Sequence, residues 1–295
     1  MSSADRRRFL HHCVASGAAL ACPTLASAQV NRRLRFGVGP FLPTAEDTRR
    51  SFTPFFAHLA KQLGAADWQL DVTVDWAGLA VAMATGNLDV AWMGPWGYVL
   101  ANNVSGCQAI ATVEYDNKLT YNAIVIARPE LKVSKFPDDT KGLSMSFADP
   151  GSTSGWLIPT YFAREVWKID PRTFWKYNEG ASHPANQISV ASGQVDLATD
   201  FDRNHNAMIA AGRIKPGQTR IVWTSPDLPN DALAVAKSVS PAEVMAIQRI
   251  ATAITAEQAK TLLPPRYTGF SRATHASYAT IEAAGVAVGR LKKAG

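Results

Sequence analysis

Between Asp149 and Trp156 the chain reads Asp-Pro-Gly-Ser-Thr-Ser-Gly-Trp, which sets Ser152, Thr153 and Ser154 in succession where a strand gives way to a helix. The run before it, Leu143-Ser144-Met145-Ser146-Phe147-Ala148, alternates as a strand does, Pro150-Gly151 signals a turn, and hydroxyl side chains favour a helix N-cap. Behind such caps lie free backbone N–H groups and the positive end of a helix dipole, so the hydroxyls complete a place for an oxyanion. Capping alone uses one hydroxyl. Three in a row exceed that need, and the flanking Gly151 and Gly155 are expected to let a ligand approach the backbone. Pro159 lies too deep for a first-turn proline, which predicts a kink and a tight, separate first turn.

The elements that must position these residues alternate in type. Strands are expected at Leu34 to Val38, Gln69 to Val74 and Val90 to Met93, with helices from Phe52 to Leu63 and Ala77 to Thr85. That is the βαβ rhythm of a parallel, doubly wound α/β sheet. Met83-Ala-Thr-Gly-Asn-Leu-Asp-Val-Ala91 recurs as Val190-Ala-Ser-Gly-Gln-Val-Asp-Leu-Ala198, a helix end followed by a short buried strand. Two copies imply two lobes of like construction. The expected division is 29–124 plus 232–295 for lobe one and 125–231 for lobe two, with chain crossings near Val125 to Arg128 and Val222 to Asp231. Two crossings make a hinge, and ligands of open α/β sheets bind at the carboxyl ends of strands.

Residues 1–28 read as an export signal: Arg6-Arg7-Arg8-Phe9-Leu10, an apolar stretch from Cys13 to Leu25, then Ala26-Ser27-Ala28 before Gln29. The paired arginines resemble a twin-arginine signal. The stretch is too short, and too rich in Ala, Ser and Gly, to span a membrane. Lipidation at Cys22 fits less well, since Ala19 stands where Leu is usual and Pro23 follows. Cys13 and Cys22 leave with the signal, so Cys107 remains without a disulfide partner. With 30 basic against 24 acidic side chains scattered over 295 residues, the charge balance argues against nucleic acid and mildly favours an anionic ligand.

Signals for catalysis are weak. No His and Cys cluster has metal spacing, and neither a Gly-x-Ser-x-Gly elbow nor a Gly-rich nucleotide loop with Lys is present. Ser152 to Ser154 with His183 and an aspartate could form a nucleophile and base, yet three consecutive hydroxyls distribute hydrogen bonds over an anion rather than single out one activated oxygen. No cofactor and no metal is expected.

The octet, with Val74-Asp-Trp-Ala-Gly78, Leu88-Asp-Val-Ala-Trp-Met-Gly94, Gly180-Ala-Ser-His183, Trp223-Thr-Ser-Pro226 and Pro229-Asn-Asp231, resembles the PhnD family. These are periplasmic phosphonate, phosphite and phosphate binding proteins that feed ABC importers, and the match runs from about Val38 to Phe270. The resemblance implies a type II periplasmic binding protein fold that delivers a small phosphorus oxyanion to a membrane permease. It places His183 across the cleft from lobe one as a donor to the anion, with Trp76 and Tyr121 as lobe-one aromatics and Trp96 and Tyr98 as further wall. Relatives carry Tyr near the position of Trp76, and Trp there suggests a ligand with some hydrocarbon. Asp231 matches an acid that faces the amine of aminoalkylphosphonates, while the second acid of that pocket aligns with Arg203. Either Asp200 or Asp202 substitutes as amine acceptor, or Arg203 pairs with Asp231, or the ligand tail is anionic. A sulfonate receptor or signalling sensor of the same fold is the alternative, and a phosphonate or phosphoester hydrolase a more distant one.

Overall fold

The computed structural model describes residues 32–292, so the expected export signal and its cleavage site lie outside the described residues. From the N-terminal side, β1 (Arg33–Val38), α1 (Ala45–Gln62), β2 (Asp67–Val72), α2 (Trp76–Ala84), β3 (Val90–Met93), α3 (Pro95–Ser105) and β4 (Gln108–Tyr115) alternate as expected. Two boundaries differ from expectation. Helix α1 begins well before Phe52, because Thr44 caps it by accepting from Asp47 N at 3.0 Å, and Glu46 and Asp47 complement the dipole in its first turn. Strand β2 stops at Val72, since Val74 is 91% exposed in the turn that leads to the Asp75 cap of α2.

The chain then passes through β5 (Thr120–Tyr121) into β6 (Ala123–Ala127), β7 (Ser144–Ala148), α4 (Ile158–Tyr161), α5 (Pro171–Phe174), β8 (Lys176–Ala181), α6 (His183–Ala191), β9 (Leu197–Phe201), α7 (Asp202–Ala210) and β10 (Arg220–Thr224). It returns through β11 (Leu228–Pro229) to β12 (Ala232–Val235), α8 (Pro241–Thr252), α9 (Ala256–Leu262), β13 (Tyr267–Arg272) and α10 (Ala279–Ala287). One sheet is ordered β13-β4-β12-β3-β1-β2 and the other β10-β6-β9-β7-β8. Strands β5 and β11 pair antiparallel between them, Leu228 opposite Tyr121. The first crossing therefore precedes Val125 to Arg128. Most of that stretch belongs to β6, paired with β9 inside the second sheet.

Both sheets are mixed rather than purely parallel. β1, β2 and β3 run parallel in one and β7, β8 and β9 in the other, while the returning β12 and β10 join antiparallel. The repeated segment builds the same device twice. Asp89, ahead of β3, accepts from Arg35 N of β1 at 2.8 Å; Asp196, ahead of β9, accepts from Ser144 N of β7 at 2.9 Å. Each carboxylate thus ties the start of one parallel strand to its neighbour. Each is also paired with arginine, Asp89 with Arg35 at 2.9 Å and Asp196 with Arg128 at 2.8 Å. Beneath the first sheet an aromatic core gathers on the fully buried Trp92, which meets Phe52 and Phe55 edge to face at 5.0 and 5.7 Å.

Candidate functional site

The carboxyl ends of the parallel strands of both sheets face one cavity of about 30 Å³. Eight of the twelve residues singled out from the sequence line it: Ser152, Thr153, Ser154, His183, Trp76, Tyr121, Arg203 and Asp231. Trp96 and Asp202 do not, nor does Tyr98, whose buried phenol meets His275 Nδ1 at 3.0 Å. Trp96 is a strut between the lobes: its indole Nε1 donates to Pro150 O at 3.1 Å. Asp202 is spent at the start of α7, accepting from Arg203 N at 2.9 Å and Asn122 N at 3.3 Å.

Helical structure after the hydroxyls departs from the expected tight first turn. Thr153–Leu157 and Phe162–Val166 are wide π turns on either side of α4. Leu157 N donates to Ser152 O, five residues back, at 3.1 Å. Pro159 is the reason, since it has no N–H to give to the Gly155 carbonyl. Thr199 supplies an O–H donor instead: its hydroxyl donates to Gly155 O at 2.6 Å and accepts from Ala148 N at 3.1 Å.

Each hydroxyl has its own setting. Ser152 caps the wide turn, accepting from Gly155 N at 3.1 Å, and meets His183 Nε2 at 2.9 Å. Thr153 Oγ1 accepts from Trp96 N of lobe one at 2.8 Å, which directs its own proton elsewhere. Ser154 is equally buried and opens on the cavity. Gly151 lines the cavity, and both glycines also permit close protein contact. A Cβ on Gly151 would lie 2.4 Å from Ala77 N, and one on Gly155 would lie 2.8 Å from His183 Cε1. Asp149 also crosses the gap, accepting from Gly151 N at 2.9 Å and Ala77 N at 3.3 Å.

His183 opens α6 after the Ser182 cap, so the end of β8 delivers it to the cavity. Its Nδ1 stands 2.9 Å from Asp200 Oδ1, off line for a straight hydrogen bond. Asp200 is wholly buried and is no amine acceptor: Asn204 Nδ2 donates to it at 3.0 Å, and Gln187 Nε2 donates as well. Trp76 leads α2 and packs edge to face on Phe41 at 4.8 Å. Burial holds the Tyr121 phenol well above its ordinary range, with the Asp231 charge adding to this while the Thr153 and Ser154 hydroxyls pull the other way. It remains a neutral donor.

Asp231 and Arg203 form the charged part of the lining. Burial pushes the Asp231 carboxyl up to about 6 despite the opposing charge of Arg203 and the bond from Trp92 Nε1 at 3.2 Å. Arg203 is held by Thr120 O at 3.0 Å and by Asn230, with its guanidinium 4.2 Å from the Tyr115 ring centre. The expected alternative of a direct pair with Asp231 is not formed: no ion pair joins the two among the described residues. Gly94, Gly151, Phe41, Phe201 and Tyr267 complete the wall, and the three aromatics were missed from sequence. Phe41 follows β1 just as Trp76 follows β2, so the same reading could have found it.

Two mixed α/β sheets joined by paired crossing strands, with hydroxyls, helix starts and aromatics converging on the cleft between them, define a two-lobed solute receptor of the type II periplasmic binding protein fold. The family model described as ABC transporter, phosphonate, periplasmic substrate-binding protein matches residues 36–278, and the chain belongs to that family. A phosphonates-binding periplasmic protein of Escherichia coli K12 is 28% identical over 225 residues, which cover 75% of this chain and 65% of that relative. A phosphate-import protein of Mycolicibacterium smegmatis is also 28% identical, over 67% of this chain and 64% of its own length. The chain thus spans just under two thirds of both. Among solved structures, PhnD1 of Prochlorococcus marinus in complex with methylphosphonate superposes with a TM-score of 0.78 at 18% identity, covering 88% of this chain and 99% of that one.

Proposed function

We propose that the protein is the substrate-binding component of an ABC importer and that it closes on a phosphonate or related phosphorus oxyanion. The observation that carries this is the convergence of Ser152, Thr153, Ser154, His183 and Tyr121 on one small buried cavity. Neutral donors and oriented dipoles there hold a dianion without a countercharge for each negative charge. Trp76 and Phe41 give the cavity an aromatic side, in keeping with a ligand that carries some hydrocarbon. Family membership supports a periplasmic setting, reached through residues 1–28 as an export signal, and a membrane permease as partner.

Thermal shift with phosphonates, phosphite, phosphate and sulfonates tests the ligand class. Stabilisation by phosphonates is the expected result; stabilisation by sulfonates alone would replace phosphorus with sulfur in this reading. One observation favours a hydrolase instead: Ser152 Oγ lies 2.9 Å from His183 Nε2 and Asp200 Oδ1 lies 2.9 Å from His183 Nδ1, the order of nucleophile, base and orienting acid. Against it, Ser152 is engaged as a helix cap and shares the anion with two further hydroxyls. Incubation with phosphonates and phosphoesters should release no phosphate. Turnover abolished by Ser152→Ala would make the protein an enzyme.

A further inference from the structure

We propose that the natural ligand is a phosphonate with a bipolar tail, bearing both an ammonium group, set against Asp231, and a carboxylate, set against Arg203. This rests on the phosphonate reading above and concerns only what hangs from phosphorus. Asp231 is nine-tenths buried in the cavity lining, and among the described residues its carboxylate takes one hydrogen bond, from the Trp92 indole N–H on Oδ2. Much of its acceptor capacity is unused. Arg203 is 7% exposed, lines the same cavity, and engages Thr120 O and Asn230 through Nη2, with the Tyr267 hydroxyl as a further neighbour, so that part of its five-donor fork stays available.

The two charges act on each other without touching, and that separation discriminates among tails. An amine alone satisfies Asp231 but meets the like charge of Arg203. A carboxylate alone does the reverse, and an alkyl group leaves both ions unanswered in a desolvated wall. A tail with both signs answers both. Room for it comes from a second chamber of about 340 Å³ that shares Phe41, Phe201, Arg203 and Tyr267 with the anion cavity. A substituent can therefore run past Arg203. The other charged groups lining that chamber, Asp47 and Arg50, are paired with each other and impose no further sign.

Calorimetry on the full chain separates the possibilities with four probes: methylphosphonate, 2-aminoethylphosphonate, 3-phosphonopropionate and 2-amino-3-phosphonopropionate. The last, which carries both groups, should bind about tenfold or more tighter than each of the others. If methylphosphonate or either singly charged ligand equals it, the bipolar tail is wrong while the phosphonate reading stands. If none of the four binds, both fall together. A second measurement uses Arg203→Met, in which the preference for 2-amino-3-phosphonopropionate over 2-aminoethylphosphonate should vanish. That ratio is read within one folded variant, and its persistence would remove Arg203 from the tail site.

Discussion

Thr153 illustrates how one side chain serves both closure and recognition. Its oxygen accepts from Trp96 N across the gap, leaving its hydroxyl hydrogen for the anion. Thr153→Ala should weaken phosphonate binding by about 1.5–3 kcal/mol in calorimetry, the range for a hydrogen bond to a charged group. Unchanged affinity would mean that the hydroxyl serves closure alone. Asp231 gives a different test, because its carboxyl is raised from 3.8 to about 6 and so the fold holds its proton more tightly than the unfolded chain does. This group therefore makes the protein less stable as pH rises from about 4 to about 6, by up to about 3 kcal/mol. Asp231→Asn should remove that decline. Melting curves should match wild type near pH 4 and lie above it at pH 7, and a gap independent of pH would contradict the assignment. Most of these side chains were legible because hydroxyl clusters and strand-following aromatics have local signatures. Tyr267 was not, since only the antiparallel addition of β13 beside β4 brings it to the cavity.

At the scale of elements, the decisive contact is the turn Pro150–Gly151 against the first turn of α2. A methyl group on Gly151 would meet backbone atoms of Ala77 and Trp76 at 2.4 to 2.9 Å, and backbone cannot swing aside as a flexible side chain can. Gly151→Ala should therefore hold the lobes apart and cut affinity by about tenfold or more, an expectation that a wild-type titration isotherm would refute. The alternation of strands and helices was readable from apolar periodicity, and so was the disturbance at Pro159. Its outcome was not. Whether a proline tightens or widens a turn depends on what meets the freed carbonyl, and here that partner is Thr199, far along the chain on β9. The early start of α1 was, by contrast, written locally in Thr44 and the acids that follow it.

For the whole molecule, a ligand held between two lobes adds its binding energy to the folded state. At a hundred times Kd it should stabilise by about 2.7 kcal/mol, which raises Tm by about 5–10 °C for a chain of this size. Small-angle scattering should show a smaller radius of gyration with phosphonate than without it, and an equal radius would argue that the lobes do not move. The two-lobed plan was visible in the repeated segment, whereas the crossing point was misjudged because β6 is as apolar as any sheet interior and nothing local marks which sheet claims it. The last helix adds a connection that neither crossing supplies. Arg164, in the second wide turn of lobe two, donates to Val288 O at 3.2 Å just past α10, and Arg290 lies 5.0 Å over the Trp156 ring. The tail end of the chain is thereby clamped to the back of the anion-gripping helix. A fluorescent dye coupled beside Arg290 would sense occupancy from the rear of the molecule, turning the receptor into a reagentless reporter whose pocket is left untouched.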